Sequence, residues 1–151
     1  MTVIYIDADG CPVKDEVYRV ARRCELPVVL VANKRMQVPD ETGIRLVIVT
    51  GAFDAADDWI VEHAERDDIV VTADIPLAAR CLARGARVID HRGGAFTEDS
   101  IGDVLTSRDI ASHLRDMGVM TGGPKPFDRR QRSAFLQRLD TVIQAIRLGK
   151  K

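Results

Sequence analysis

Short, nearly continuous apolar runs alternate along this chain with stretches of helical periodicity, and that alternation limits the folds open to it. Five such runs are present: Val3–Ile6, Val28–Val31, Leu46–Val49, Ile69–Val71 and Arg87–Ile89. Runs of this length, rich in β-branched residues, predict buried strands. Continuous apolar strands joined by helices are typical of a parallel sheet covered on both faces. We therefore predict an α/β fold with a central parallel sheet of about five strands.

Helical patterns occupy the gaps between these runs. The first begins at Pro12, a residue suited to the first helical turn, and the second follows Asp54, a preferred N-cap residue. The buried face of the second helix is predicted to contain Ala55, Ala56, Trp59, Ile60 and His63. A third helix follows Asp74 and ends near Gly85, and no strand is predicted after Asp90.

The C-terminal part is predicted to be helical. One helical region covers about 98–117, and a rigid loop rich in glycine and proline follows at 122–127. The last helix carries one apolar stripe, formed by Phe135, Leu139, Val142, Ile143 and Ile146. We predict a single domain over 1–151, with an α/β body at 1–92 and a helical part with a basic loop at 93–151.

Composition excludes several classes of protein. The 151 residues are 46% hydrophobic, which suits one globular domain, and no apolar run reaches the length of a membrane span. Three cysteines without a CxxC pair predict free thiols in a reducing compartment, the cytoplasm, and no secretory signal is visible. The three histidines do not pair with the cysteines at zinc-ligand spacing. The oligomeric state is left open.

Positive charge is concentrated at the C-terminal end. The net charge is -1, yet residues 122–151 contain eight basic residues and only two acidic ones. A basic segment on an acidic body is typical of a protein that binds a polyanion. A solvated helix surface explains the same charges equally well.

Carboxylates follow four of the five predicted strands. Asp7 and Asp9 follow the first, Asp54 the third, Asp74 the fourth and Asp90 the fifth. The carboxyl ends of parallel strands meet at one edge of a sheet, so these acids are predicted to make an oxygen-rich site for Mg²⁺ or Mn²⁺. Helix capping is the alternative for Asp54 and Asp74, and a turn is the alternative for Asp90. For the pair Asp7 and Asp9, two like charges so close favour a cation between them.

Further acids and several cations accompany this edge. Asp57 and Asp58 lie in the first turn of the second helix, where the helix dipole favours acids without any function. Polar and basic residues that would contact phosphate follow the second strand and surround the start of the last helix. They are Asn33, Lys34, Arg35, Lys125, Arg129, Arg130 and Arg132. Cys11 is interpreted as a small buried residue rather than a nucleophile, and Trp59 as part of the core.

Four ordered motifs resemble the bacterial YaiI/YqxD family over nearly the whole chain. They are Asp7-Ala8-Asp9-Gly10-Cys11-Pro12, the segment 51–58, Thr72-Ala73-Asp74-Ile75-Pro76 and the segment 122–127. The family is itself similar to PIN-type nuclease domains, which cut RNA with acids clustered around divalent metal. That resemblance implies a PIN-like three-layer fold, with Asp7, Asp9, Asp57 and Asp74 as metal-binding catalytic residues and Asp58 as an alternate ligand. Many PIN domains carry one more acid where this chain has Pro76.

The sequence is compatible with three different functions. The first is a metal-dependent nuclease acting on RNA, and the second is an RNA-binding protein that kept the fold and lost part of the site, which Pro76 favours. The third is a phosphohydrolase of the haloacid-dehalogenase type, because Asp7-x-Asp9-Gly10 resembles its opening motif with Asp7 as nucleophile. Against the third, Pro12 begins a helix at once and leaves no room for the usual flap.

Overall fold

We analysed a computed structural model, which describes residues 2–9, 11–51, 55–97 and 129–149. The described part contains six strands and four helices. The strands are β1 (Ile4–Asp7), β2 (Val28–Ala32), β3 (Ile44–Ile48), β4 (Ile69–Val71), β5 (Arg87–Ile89) and β6 (Ala95–Phe96). The helices are α1 (Lys14–Cys24), α2 (Ala55–His63), α3 (Ile75–Ala83) and α4 (Arg129–Arg147). None of the described helices combines the length and the apolar character needed to cross a membrane.

One six-stranded sheet runs through the molecule, in the order β3-β2-β1-β4-β5-β6. All neighbouring strands are parallel except β6, which pairs antiparallel with β5. The predicted α/β class and parallel core are therefore confirmed. The expectation of no strand after Asp90 is wrong, because a tight turn reverses the chain and places Ala95 opposite Ile89. A two-residue strand has no hydrophobic period of its own to reveal it.

Two apolar layers cover the two faces of the sheet. Alternate residues of β1, such as Ile4 and Ile6, pack against α1 and α4, whereas Tyr5 packs against α2 and α3. This alternation follows from the two-residue period of a strand. On α4, Phe135, Leu139 and Ile143 are buried, as its apolar stripe predicted.

Helices α1 and α4 lie side by side and point in the same direction. Near their N-termini, Arg132 Nη1 donates to Glu16 Oε1 at 2.7 Å and to the carbonyl oxygen of Pro12 at 3.2 Å. Near their C-termini, Arg147 donates to the carbonyl oxygen of Cys24. The N-terminus of α4 therefore reaches the same edge of the sheet as the N-terminus of α1, directly beyond β1.

Other predictions have mixed outcomes. The predicted bounds of β4 and β5 agree with the structure, and the three cysteines are free, as predicted, and buried. Pro12 lies before α1 rather than in it, because Val13 occupies the N-cap position. His63 is exposed, not buried, and its ring stacks on Trp59 with centroids 3.7 Å apart. Asp54, the helical region 98–117 and the loop 122–127 fall outside the described residues.

The turn between β5 and β6 fits closely against α4. Gly93 has φ +93°, a conformation that side chains with a Cβ rarely adopt, and a Cβ there would lie 2.8 Å from the backbone of Ala134. Arg138 Nε also donates to the carbonyl oxygen of Gly93 at 3.0 Å. The turn thus depends on glycine for both its conformation and its contact with the helix.

We expect Gly93→Ala to lower the free energy of unfolding by about 2–4 kcal/mol, because strain and a backbone overlap act together. Urea denaturation followed by circular dichroism measures the change. Gly43→Ala is the matched control, since a Cβ at Gly43 meets no atom within 4 Å. Equal stabilities of the two variants would contradict the close contact between this turn and α4.

Candidate functional site

The strand order places a crevice at the carboxyl end of β1. From β1 the chain passes through α1 to β2 on one side, while β4, reached through α2, lies on the other side. Helices α1 and α2 cover opposite faces of the sheet. Ligands of open α/β sheets bind where neighbouring connections diverge in this way. Asp7, the last residue of β1, lies at that point.

A hydroxyl joins two of the predicted site acids across this crevice. Thr72, fully buried just after β4, donates from Oγ1 to Asp7 Oδ2 at 2.9 Å. The same Oγ1 accepts from the backbone amide of Asp74 at 3.0 Å. Asp74 Oδ1 in turn accepts from the amide of Leu77 at 3.0 Å, so the predicted capping of α3 is confirmed. Thr72 therefore fixes the orientation of Asp7 and the start of α3 together.

Asp9 lies on the other side of Asp7 and holds a different neighbour. Its Oδ2 accepts from the backbone amide of Asn33 at 2.9 Å, which ties the chain after β1 to the chain after β2. Asp7 and Asp9 thus bond to opposite neighbours of β1, Asp7 towards β4 and Asp9 towards β2. This arrangement separates the bonded oxygens of the two like charges.

The acids of α2 differ in their surroundings. Asp57 is half-buried and faces Asp7 closely enough for the two charges to interact. Asp58 is exposed and forms an ion pair with Arg80 of α3 at 2.9 Å. Asp57 is therefore the α2 residue directed to the site. Asp90 accepts a hydrogen bond from the backbone amide of Arg92, in the turn that the sequence predicted as its alternative role.

The carboxyl group of Asp7 is shielded from solvent among like charges. Its pKa is raised from 3.8 to about 6, mainly by burial and also by repulsion from Asp57, Asp74 and Asp9, against the opposing hydrogen bond from Thr72. Ionised Asp7 is therefore held at a cost to stability, which a bound cation would relieve.

The donor chemistry at this edge suits a hard divalent cation. Asp7, Asp9 and Asp74 each use one carboxylate oxygen in the bonds above, and among the described residues the second oxygen of each makes no hydrogen bond. Carboxylate oxygens are the ligands that Mg²⁺ and Mn²⁺ prefer. Within the same residues, however, no three His, Cys, Asp or Glu side chains already stand at metal-binding spacing.

The predicted phosphate-contacting residues lie around the same edge. Asn33, Lys34 and Arg35 are exposed directly after β2, next to Asp9. Arg129 and Arg130 are exposed at the N-terminus of α4, while Arg132 is engaged with Glu16 and Pro12. We call Lys34, Arg35, Arg129 and Arg130 the basic rim. Lys125 lies outside the described residues.

Two residues near the site were not among the predicted site residues. Thr72 orients Asp7, and the signal for it was a hydroxyl at the end of a strand, two residues before Asp74. Lys14, the first residue of α1, places a positive charge where the helix dipole disfavours one. Cys11, which lies between Asp7 and Lys14 in sequence, is buried, and burial raises the pKa of its thiol to about 11. Cys11 therefore stays protonated and is no nucleophile at neutral pH.

We expect Asp7→Asn to raise the free energy of unfolding. The raised pKa of Asp7 means that its ionised form destabilises the folded state, and asparagine carries no charge. In the wild type, ionisation of Asp7 costs stability above pH 6, and the cost disappears below about pH 4, where the group is protonated in both states. The free energy of unfolding of Asp7→Asn should therefore exceed that of the wild type by up to about 3 kcal/mol at pH 8. Urea unfolding from pH 4 to pH 8 measures it, and Asp40→Asn, at an exposed loop position, is the control. A gain that is the same at both pH values would refute the burial of a charge.

Comparison with known proteins identifies relatives along the full length of the chain. A family model described as "Uncharacterized BCR, YaiI/YqxD family" matches residues 5–145. A UPF0178 protein of Rhodospirillum centenum is 51% identical over 154 residues, covering 99% of this chain and 100% of its own length. A UPF0178 protein of Nitrobacter winogradskyi is 53% identical, covering 95% of this chain and 92% of its own. The chain belongs to the YaiI/YqxD family.

Proposed function

We propose that this protein is a PIN-like, divalent-metal-dependent nuclease that hydrolyses phosphodiester bonds in RNA. The observation that carries the proposal is the convergence of four acids from three segments at one crevice. Asp7 ends β1, Asp9 follows it, Asp74 follows β4, and Asp57 faces them from α2. Capping and solvation account for single acids, but they do not account for three carboxylates that all disfavour ionisation of a fourth, the half-buried Asp7.

Asp7, Asp9, Asp57 and Asp74 would hold Mg²⁺ or Mn²⁺, and Asp58 is the alternate ligand only if its ion pair with Arg80 opens. Such a cation, when bound, lowers the pKa of water and stabilises charge that develops during in-line displacement at phosphorus. The protein's own part is to orient the acids. Thr72 fixes the Asp7 carboxylate, the Asn33 amide fixes Asp9, and the Leu77 amide fixes Asp74.

The basic rim supports a nucleic acid as the substrate. Its four exposed cations come from two segments at the same edge of the sheet as the acids, Lys34 and Arg35 after β2 and Arg129 and Arg130 at the start of α4. Lys and Arg contacts to phosphates supply most of the affinity of proteins for nucleic acids and position the backbone. A small phosphomonoester would need only one or two such contacts. The spread of the cations therefore favours a polymeric substrate.

A second function, RNA binding without cleavage, is favoured by two specific features. The described residues lack a ready-made group of three metal-ligating side chains, and the exposed Pro76 of α3 offers no carboxylate. In this alternative the basic rim binds RNA, and the acids only orient the loops around it. Metal binding and RNA cleavage distinguish the two functions directly.

We expect Mn²⁺ to bind the wild type and to stabilise it, because the cation would relieve the repulsion among the acids. Isothermal calorimetry and thermal unfolding with added Mn²⁺ measure binding independently of activity. Asp7→Asn should lose most of the Mn²⁺-induced shift in melting temperature and at least about a hundredfold of any cleavage of labelled RNA. Asp40→Asn, an exposed acid remote from these contacts, should behave like the wild type.

The outcomes separate the candidates. Mn²⁺ binding with RNA cleavage that chelator abolishes supports the nuclease. RNA binding with neither Mn²⁺ binding nor cleavage leaves the non-catalytic alternative. Undiminished cleavage by Asp7→Asn would show that the catalytic site lies elsewhere.

We also expect the double variant Arg129→Gln, Arg130→Gln to weaken RNA binding about tenfold or more at moderate salt. The loss should shrink at high salt, because counterion release drives such contacts. Fluorescence anisotropy with a labelled oligoribonucleotide measures it, and Mn²⁺ binding should be unchanged. RNA affinity equal to that of the wild type would exclude the N-terminus of α4 from the RNA-binding surface.

A further inference from the structure

Lys14 is a cation in an unusual place. It is the first residue of α1, so its charge lies at the positive end of the helix dipole, whereas Asp15 and Glu16 beside it match that dipole. Its side chain is half-buried, unlike the four exposed residues of the basic rim. A cation placed against a helix dipole is stabilised by a negative group that binds it.

The protein itself supplies no such group among the residues that the structure describes. Within the described ranges no carboxylate lies at ion-pair distance from Lys14, and its Nζ lies 3.9 Å from the sulfur of Met36. The helix positions that could supply an acid, three and four residues on, are Val17 and Tyr18. Arg132, the other half-buried cation at this edge, is instead paired with Glu16.

The location of Lys14 connects it with the candidate site. Met36 belongs to the segment that follows β2, three residues after Asn33, whose amide binds Asp9. On its other side, the Cys11 thiol lies within electrostatic reach of both Lys14 and Asp7. Lys14 thus contacts the segment after β2 that also contains Lys34 and Arg35, and it shares the Cys11 thiol with Asp7 as an electrostatic neighbour.

We propose that Lys14 binds a backbone phosphate of the RNA, the one next to the phosphate that the carboxylates engage. This inference rests on the proposed function, since it takes RNA as the ligand. The ammonium group supplies the point charge that a phosphate oxygen requires, and contact with Met36 restrains the flexible lysine stem before RNA arrives. Lys14 therefore acts as a binding residue that sets the register of the RNA on the site.

A purely structural role for Lys14 would reside in its aliphatic stem, which covers Met36. Lys14→Met keeps an unbranched apolar side chain there and removes only the charge. Lys14→Arg keeps the charge. Arg19→Met is the matched control, because Arg19 is an exposed cation of the same helix. Thermal unfolding of all three variants shows whether packing has changed.

The experiment measures binding of a labelled single-stranded oligoribonucleotide by anisotropy, in chelator, across a series of KCl concentrations. We expect Lys14→Met to bind about three- to tenfold more weakly and to lose about 0.7 from the slope of log K against log salt, the value for one phosphate contact on a single strand. Lys14→Arg should recover most of the affinity, and Arg19→Met should match the wild type.

Failure of this inference and failure of the proposed function give different results. Wild-type affinity and salt slope in Lys14→Met, an equal loss in Arg19→Met, or no binding of RNA by the wild type would each overturn the role of Lys14. Loss of affinity in Lys14→Met alone, with no RNA cleavage by the wild type in Mn²⁺, would support Lys14 as a phosphate contact and refute the nuclease. If Lys14→Met does not fold, wild-type affinity in Lys14→Gln overturns the inference in the same way.

Discussion

The hydrogen bond between Thr72 and Asp7 joins the two central strands at the point where the connections of the sheet diverge. It places a carboxylate, shielded from water, between β1 and β4 and gives it one partner. Helix α1, which follows β1, and helix α3, which follows β4, pack on opposite faces of the sheet, and a crevice between such connections is where ligands of α/β sheets bind. The fold thus accepts the cost of a crowded acid at this crevice.

The parallel packing of α1 and α4 determines which charges meet at that opening. Arg132 binds Glu16 near the N-termini, Arg23 of α1 binds Asp140 of α4 at 2.6 Å further along, and Arg147 reaches the C-terminal end of α1. These contacts fix the register of two helices that are more than a hundred residues apart in sequence. As a result, the basic start of α4 adjoins the acids of β1 instead of lying at the opposite end of the molecule.

Sequence reasoning succeeded where a local pattern determines the structure. β4 and β5 were located exactly because their apolar runs are bounded by turns, and the capping of α3 by Asp74 follows from residue type. β6 was not predicted because its pairing depends on the turn at Gly93, which has a positive φ and packs closely against Ala134. The contact between Lys14 and Met36 is a tertiary contact that no local pattern reveals, whereas His63 stacks on Trp59 one helical turn before it and is nevertheless exposed. The metal, RNA and PIN-like assignments stay predictions.

A structural role and a metal-binding role for the acids do not exclude each other. Capping by Asp74, the amide bond to Asp9 and the hydroxyl bond to Asp7 each occupy one oxygen of a carboxylate that has two. Bonds of this kind orient a ligand and leave its second oxygen for a cation. A role in capping alone would have been met by serine or asparagine at any of these positions, without accumulating negative charge. The accumulation of aspartate at these three positions, beyond what hydrogen bonding needs, is therefore the feature on which the proposed cation site rests.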